Sequence, residues 1–308
     1  MHINDDLILI TGVNGFIGNH LFKNLVNNGN HVIGISRNRN DTLIYPPNFK
    51  ILDLSNRIEI NKFIMKHKPN YVIHLASANT KNYTASSYIE SYQANLLCSL
   101  NLIEACENNV NLKKFIYIGT SDEYGFIQSD YIEGVREKPT SSYGLSKLSI
   151  TNVLQALAIT SNFPSLILRP TIIYGPGQKS SMLIPSVIDA LSNGKEFNMS
   201  NGEQFRDFVY IDDMIDAIIL AIQSKTGVNG QIINISYGKS FKLKYVINLI
   251  TSIIGKQSHK LINFGNREYR AGEIMNYVVS NKVAEKILGW FPKTNLDSGL
   301  VNTIKSIQ

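Results

Sequence analysis

The stretch YGLSK at 143–147 holds a tyrosine and a lysine four residues apart. On a helix, Tyr143 and Lys147 would share one face, a turn apart. A phenol titrates near pH ~10 in model peptides, and a cation within reach stabilises its phenolate. Such a pair can deliver a proton to an oxygen, or remove one, near neutral pH. The same two residues also suit an ordinary surface helix, so the spacing acquires meaning only from its setting.

TGVNGFIG at 11–18 supplies part of that setting, with Gly12, Gly15 and Gly18 between an apolar run and a helix-like segment. Glycines here permit a tight turn and close approach of backbone to a pyrophosphate. The helix N-terminus adds N–H groups and the positive end of its dipole. The spacing G-x-x-G-x-x-G is a variant of the dinucleotide fingerprint G-x-G-x-x-G, and dinucleotide binding is the expectation. After the second apolar run comes SRNRN (36–40), where an NAD site would place Asp or Glu against the ribose 2′-hydroxyl. Ser36 and Arg37, with Arg39 close by, suit a 2′-phosphate instead, so NADP is expected over NAD.

A scaffold has to hold these groups. Strand-like runs rich in β-branched residues lie at 7–11, 31–36, 71–77, 114–120 and 165–171, with helix-like segments at 17–28, 56–67, 88–109 and 143–160 between them. That alternation predicts an α/β chain with a doubly wound parallel sheet, covered on both faces and joined by right-handed crossovers. After YGPGQ (174–178) the rhythm breaks into helix-like stretches at 182–194 and 211–223, a lone strand at 231–236 and a mixed remainder. Residues 1–175 and 211–237 are expected to form the dinucleotide-binding domain. Residues 176–210 and 238–308 would form a smaller mixed α/β lobe that takes the substrate.

Composition narrows the classes. The chain has 308 residues, 44% hydrophobic and 18% charged, the balance of a globular protein. No apolar stretch approaches the ~18–20 residues of a membrane span. Asp5 and Asp6 stand where a signal peptide would need positive charge, so a cytoplasmic protein is expected. The net charge of +6 is scattered, without a basic run, which suits an anionic small substrate and not nucleic acid. Cys98 and Cys106, about 12 Å apart on one helix, are too far apart for a disulfide and read as buried small hydrophobes. No Cys/His cluster has metal-ligand spacing, and no metal is expected.

Taken in order, the motifs resemble the extended short-chain dehydrogenase/reductases that act on nucleotide-diphosphate sugars, over almost the whole chain. TGVNGFIG is similar to their cofactor turn, which brings in Asn14, Phe16 and Ile17 beside the glycines. LDLSN brings Asp53, facing adenine, and Leu54. HLAS (74–77) brings Leu75, Ala76 and Ser77 to the cofactor cleft, and Asn95 matches an asparagine of the following helix. GTSDEYG (119–125), Tyr143 and Lys147 match the catalytic Ser/Thr, Tyr and Lys, so Thr120 would hold the reacting oxygen. Lys147 would lower the pKa of Tyr143 and hold the nicotinamide ribose. LRPTIIYGPGQ adds Pro170 to the cofactor set; RDFVYIDD, RAGE (where RPGD is commoner) and LGW carry the resemblance to the C-terminus.

On the substrate side the resemblance implies Ser121 and Asp122 near the sugar. It also implies Arg206 and Arg270 on the diphosphate, although either arginine could pair with Asp207 or Glu273 instead. Within the family, the Rossmann domain serves 4-epimerases, 4,6-dehydratases and 4-ketoreductases. The missing acidic residue after the second strand leans to a reductase that uses NADPH on the 4-keto group of a nucleotide-linked 6-deoxyhexose. TSDE supports that lean, since Asp122 stands where dehydratases have Glu, one methylene shorter. The alternative is an NAD-dependent 4-epimerase or 4,6-dehydratase. Dimerisation through helices 88–109 and 143–160 is the family expectation.

Overall fold

The structure, a computed structural model, describes residues 6–39, 48–79, 84–127, 130–225, 227–270 and 272–307. Asp5, Asn40 and Ala271, part of the motifs above, lie outside the described residues. In chain order the strands are β1 Ile8–Thr11, β2 Val32–Ser36, β3 Phe49–Ile51, β4 Tyr71–His74, β5 Lys114–Ile118, β6 Ser165–Pro170, β7 Ile172–Tyr174, β8 Phe197–Met199, β9 Phe205–Arg206, β10 Phe208–Tyr210, β11 Gln231–Ile235, β12 Phe241–Lys242 and β13 Ile262–Phe264. The helices are α1 Phe16–Asn27, α2 Arg57–His67, α3 Ala85–Ser91, α4 Cys98–Glu107, α5 Ser142–Thr160, α6 Leu183–Ser192, α7 Ile211–Gln223, α8 Leu243–Ile254, α9 Lys282–Leu288 and α10 Leu296–Lys305.

Every residue of β1 is buried, as a strand covered on both faces requires. Its alternation sorts the core: Ile8 and Ile10 face one cluster with Leu21 and Leu25 of α1 and Met214 and Ile218 of α7. Leu9 faces the other, with Ile64 of α2, Leu102 of α4 and Leu154 of α5. Among the described residues the sheet has the order β11-β6-β5-β4-β1-β2-β3, every pairing parallel. The order turns back at β1, which opens a crevice between β1 and β4 at their carboxyl ends. The doubly wound sheet is therefore present.

Two departures from the expected elements stand out. The strand β3 escapes sequence reading because its three residues FKI form a largely exposed edge with no alternation to see. The segment read as one helix over 88–109 is α3 and α4 joined by a π-helical turn, Tyr92–Leu97. Cys106 is buried on α4, but Cys98, next to the wide turn, is only half-buried, which corrects the expectation for that cysteine. The strand read as lone, β11, is the sheet's edge strand beside β6.

Beyond the main sheet, β7 pairs with β10 and β8 with β13 in parallel, and β9 pairs with β12 antiparallel. Val187 and Ile188 of α6 and Val246 and Ile250 of α8 share the core cluster of α1 and α7, so the later elements pack directly on the first. No helix among the described residues is long and apolar enough to cross a membrane.

Candidate active site

Thr11 and His74 end β1 and β4 and stand in register across them, at the crevice. The Thr11 hydroxyl oxygen accepts the amides of Leu75 and Ala76 at 3.2 and 3.1 Å, leaving its hydrogen for His74 Nδ1 at 2.7 Å. That fixes the tautomer: Nε2–H donates to Ser99 Oγ at 2.7 Å, and Ser99 donates to the Asn95 carbonyl at 2.6 Å. Burial, with Lys147 nearby, holds the imidazole down at about 3, so it is neutral.

The glycine turn fits a dinucleotide's phosphates. Gly12 sits at φ +74, and a Cβ there would be 2.7 Å from the Ala76 amide; one on Gly18 would overlap the Gly12 carbonyl. Gly15 caps α1 without a side chain, so the first amides of the helix, on Phe16, Ile17 and Gly18, are left for a ligand anion. Asn14 Nδ2 donates to the Asn38 carbonyl at 2.5 Å, tying the turn to the segment after β2. There Ser36 is half-buried and Arg37 exposed. Arg37 and Asp53 both act on the Cys98 thiol, which places them together beside the start of α4; Leu54 next to Asp53 is buried. Pro170 ends β6, buried.

The π turn presents Asn95 inward. Its Oδ1 accepts the Ala78 amide at 2.8 Å and the Ser77 hydroxyl at 3.3 Å, while Nδ2 donates to the Ala78 carbonyl and to Ser146 Oγ at 2.9 Å. Ser146 in turn donates to the Tyr143 carbonyl at 2.8 Å. One buried side chain thus joins the HLAS segment to the first turns of α5, which Ser141 caps by accepting the Gly144 amide.

Thr120, Tyr143 and Lys147 converge there. Burial pushes the Tyr143 phenol up, as do the Asp122 and Glu123 carboxylates, while hydrogen bonds with Ser77 and Thr120 pull it down. Thr120 Oγ1 accepts the Asp122 amide at 3.2 Å, leaving its own hydrogen to donate. Lys147, one turn on from Tyr143 along α5, is 2% exposed, with Nζ 2.6 Å from the Ile118 carbonyl and 4.4 Å from the centre of the Tyr117 ring. Burial pushes its pKa down to about 8, against the Glu123 carboxylate.

The expected direction for Tyr143 is therefore corrected. Its pKa is raised in this pocket, because desolvation and the two carboxylates outweigh its hydrogen bonds, and Lys147 donates a hydrogen bond to the Ile118 carbonyl.

Glu123, which sequence reasoning passed over, is fully buried. Its carboxylate accepts the Thr120 amide at 2.9 Å, the Thr151 hydroxyl at 2.8 Å and Arg169 Nε at 2.8 Å. On the substrate side, the Ser121 carbonyl accepts the Tyr277 hydroxyl at 2.6 Å and Asp122 is exposed beside Tyr143. Arg206 takes the alternative weighed above: Nη2 forms an ion pair with Glu273, and Nη1 donates to the Phe205 and Ile274 carbonyls at 2.7 Å. Arg270, two positions past the exposed Glu268, is exposed as well. Asp207 pairs with neither arginine; it accepts Thr171 Oγ1 and the Tyr237 and Gly238 amides.

No group of His, Cys, Asp and Glu among the described residues could hold a metal ion. Thr11, His74 and Glu123 left a faint trace in the sequence: polar side chains at the ends of apolar runs, where a parallel sheet opens its crevice.

Known proteins are similar to this chain along its length. An uncharacterized UDP-glucose epimerase of Bacillus subtilis is 29% identical over 96% of each chain. The crystal structure of UDP-glucose 4-epimerase from Thermotoga maritima with UDP-glucose superposes with a TM-score of 0.90 at 26% identity, over 98% of both chains. That of UDP-glucuronic acid 4-epimerase from Bacillus cereus, in complex with UDP-glucuronic acid and NAD, gives 0.87 at 28% identity, also over 98% of both. With these likenesses, and with the model of the NAD dependent epimerase/dehydratase family matching residues 8–236, the chain belongs to that family.

Proposed function

We propose that this protein is a nucleotide-sugar 4-epimerase working with a retained NAD, its substrate lying between the domain of residues 1–175 and 211–237 and the lobe of 176–210 and 238–308. The observation that carries this reading is the meeting of Thr120 and Tyr143, two hydroxyls from different elements joined by a hydrogen bond. A dehydratase also needs a carboxylic acid beside that pair to move a proton at carbon, and the position where dehydratases have Glu carries Asp122, one methylene shorter. An epimerase needs one group that moves the 4-hydroxyl proton in both directions, and Tyr143 with Thr120 supplies it. The structures of the two 4-epimerases, one with UDP-glucose and one with UDP-glucuronic acid and NAD, support the same substrate class.

In this reading the turn at Gly12, Gly15 and Gly18, with Asn14, Phe16 and Ile17, holds the pyrophosphate. Asp53, Leu54, Leu75, Ala76, Ser77 and Pro170 line the rest of the cofactor cleft, and Asn95 holds its wall. NAD bound there supplies a hydride acceptor that can give the hydride back. Thr120 donates to the 4-oxygen, Tyr143 takes its proton and later returns it, and Lys147 provides the positive charge beneath. Ser121 and Asp122 border the sugar, while Arg206, released from Glu273, and Arg270 meet the diphosphate.

A second reading keeps the reductase expected from the sequence, with NADP as cofactor. Arg37 favours it, being exposed just past β2 with no carboxylate among Ser36–Arg39. One experiment separates them: extract the purified protein, identify any bound nucleotide, then offer UDP-glucose and UDP-glucuronate without added reductant. Bound NAD(H) with interconversion of the 4-epimers is the expected result. An empty site that takes NADPH and reduces a nucleotide-linked 4-keto-6-deoxyhexose would overturn the epimerase. Homodimerisation is part of the proposal, supported by Ile89, Leu97 and Ile159, exposed on the two helical segments expected to meet. Gel filtration at monomer size would refute it.

A further inference from the structure

We propose that Glu123 is a positioning residue that sets the spacing between Thr120 and the helix carrying Tyr143 and Lys147. Tyr143, Lys147 and Thr151 follow one another at intervals of four, so they share one face of α5. Thr120 belongs to a different element, the turn that follows β5. Something has to hold that turn and that face at a fixed separation if a hydroxyl and a phenol are to reach the same oxygen. The two oxygens of one buried carboxylate do so: Oε1 accepts the Thr120 amide at 2.9 Å and Oε2 accepts the Thr151 hydroxyl at 2.8 Å.

The carboxylate is itself anchored to the sheet. Arg169 on β6 donates Nε to Oε2 at 2.8 Å, gives Nη2 to Glu137 at 2.8 Å and lies over the Tyr124 ring at 4.8 Å. Glu123, Thr151 and Arg169 are all 0% exposed, so water does not compete for these bonds. A tether of this kind is stiff. It also faces Lys147, whose other neighbours are the Tyr117 ring and His74. This positioning role rests, for its kinetic readout, on Thr120 and Tyr143 being the reacting pair.

Thr151→Val keeps the side chain's shape, leaves Arg169 paired and removes only the tether on α5. It should lower kcat ~10-fold or more with cofactor affinity unchanged, and Thr151→Ser should restore the rate. Glu123→Gln removes the negative charge facing Lys147 and should also move the alkaline limb of kcat/KM to lower pH, which packing alone would not do. A crystal structure of Thr151→Val reads the geometry without turnover, so it stands even if no nucleotide sugar proves to be a substrate. There, Thr120 and Tyr143 should move apart. Wild-type kcat in Thr151→Val, an equally slow Thr151→Ser, or an unchanged Thr120–Tyr143 contact would each overturn the role. Should Glu123→Gln fail to fold with Arg169 left short of a partner, the Thr151 variants decide.

Discussion

A lysine ammonium enclosed at 2% exposure keeps its proton less firmly than one in water, and Lys147 is held at about 8 against an ordinary 10.5. Below about pH 8 it is charged and, in the proposed function, holds a ribose hydroxyl; above, it is neutral. Both kcat/KM and cofactor affinity should therefore fall as pH rises through about 8, measured as a pH profile and by calorimetric titration of the free protein. Stability takes the opposite sign. The unfolded lysine still binds its proton between about 8 and 10.5 while the folded one does not, so this group makes the fold more stable as pH rises through that window. Tyr143 offers a simpler test: Tyr143→Phe should keep cofactor binding and lose turnover by ~10²-fold or more. Full activity there would remove Tyr143 from its role.

At the scale of elements, the glycine turn depends on contacts a side chain would destroy. A methyl group on Gly18 overlaps the Gly12 carbonyl, so Gly18→Ala must push α1 away from the end of β1. We expect cofactor affinity to fall at least ~10-fold, since amides displaced by even an ångström lose their aim at the phosphates. Binding of NAD to that variant with unchanged affinity would show that the turn is not the phosphate site. The π turn at Tyr92–Leu97 works on the other wall of the cleft, because it brings Asn95 to Ala78 and Ser146 at once.

For the whole molecule, the C-terminal segment is fastened back onto α7. Trp290 Nε1 donates to the Asp213 carbonyl at 2.9 Å, and the Asp213 carboxylate accepts the amides of Lys293 and Thr294 at 3.1 and 3.0 Å. Trp290 is 1% exposed within the core cluster that includes α1, α6 and α8. Trp290→Ala should cost about 3–5 kcal/mol in urea unfolding, a cavity cost on a buried aromatic. Ile150 and Leu154 of α5, the helix that carries Tyr143 and Lys147, lie in the other cluster, so activity per folded molecule should persist. A cost below ~1 kcal/mol would mean that the segment docks without holding the core.

Periodicity and composition sufficed for the doubly wound sheet, because strands buried on both faces must be apolar along their length and helices between them must repeat at 3.6. The glycine turn and the Tyr143–Lys147 pair were legible for the same reason: their spacing is local, fixed by one turn or one helix. What needed the tertiary structure was every relation between segments distant in the chain. Whether Arg206 faces a ligand or Glu273 depends on a short strand and a loop 67 residues apart. The direction of the Tyr143 pKa depends on how much water the folded pocket excludes and which carboxylates remain inside. Glu123 looked like one more polar residue in TSDEYG. Only folding brings β6, α5 and the Thr120 turn around it, since a buried charge takes its partners from wherever the chain packs and not from its neighbours in sequence.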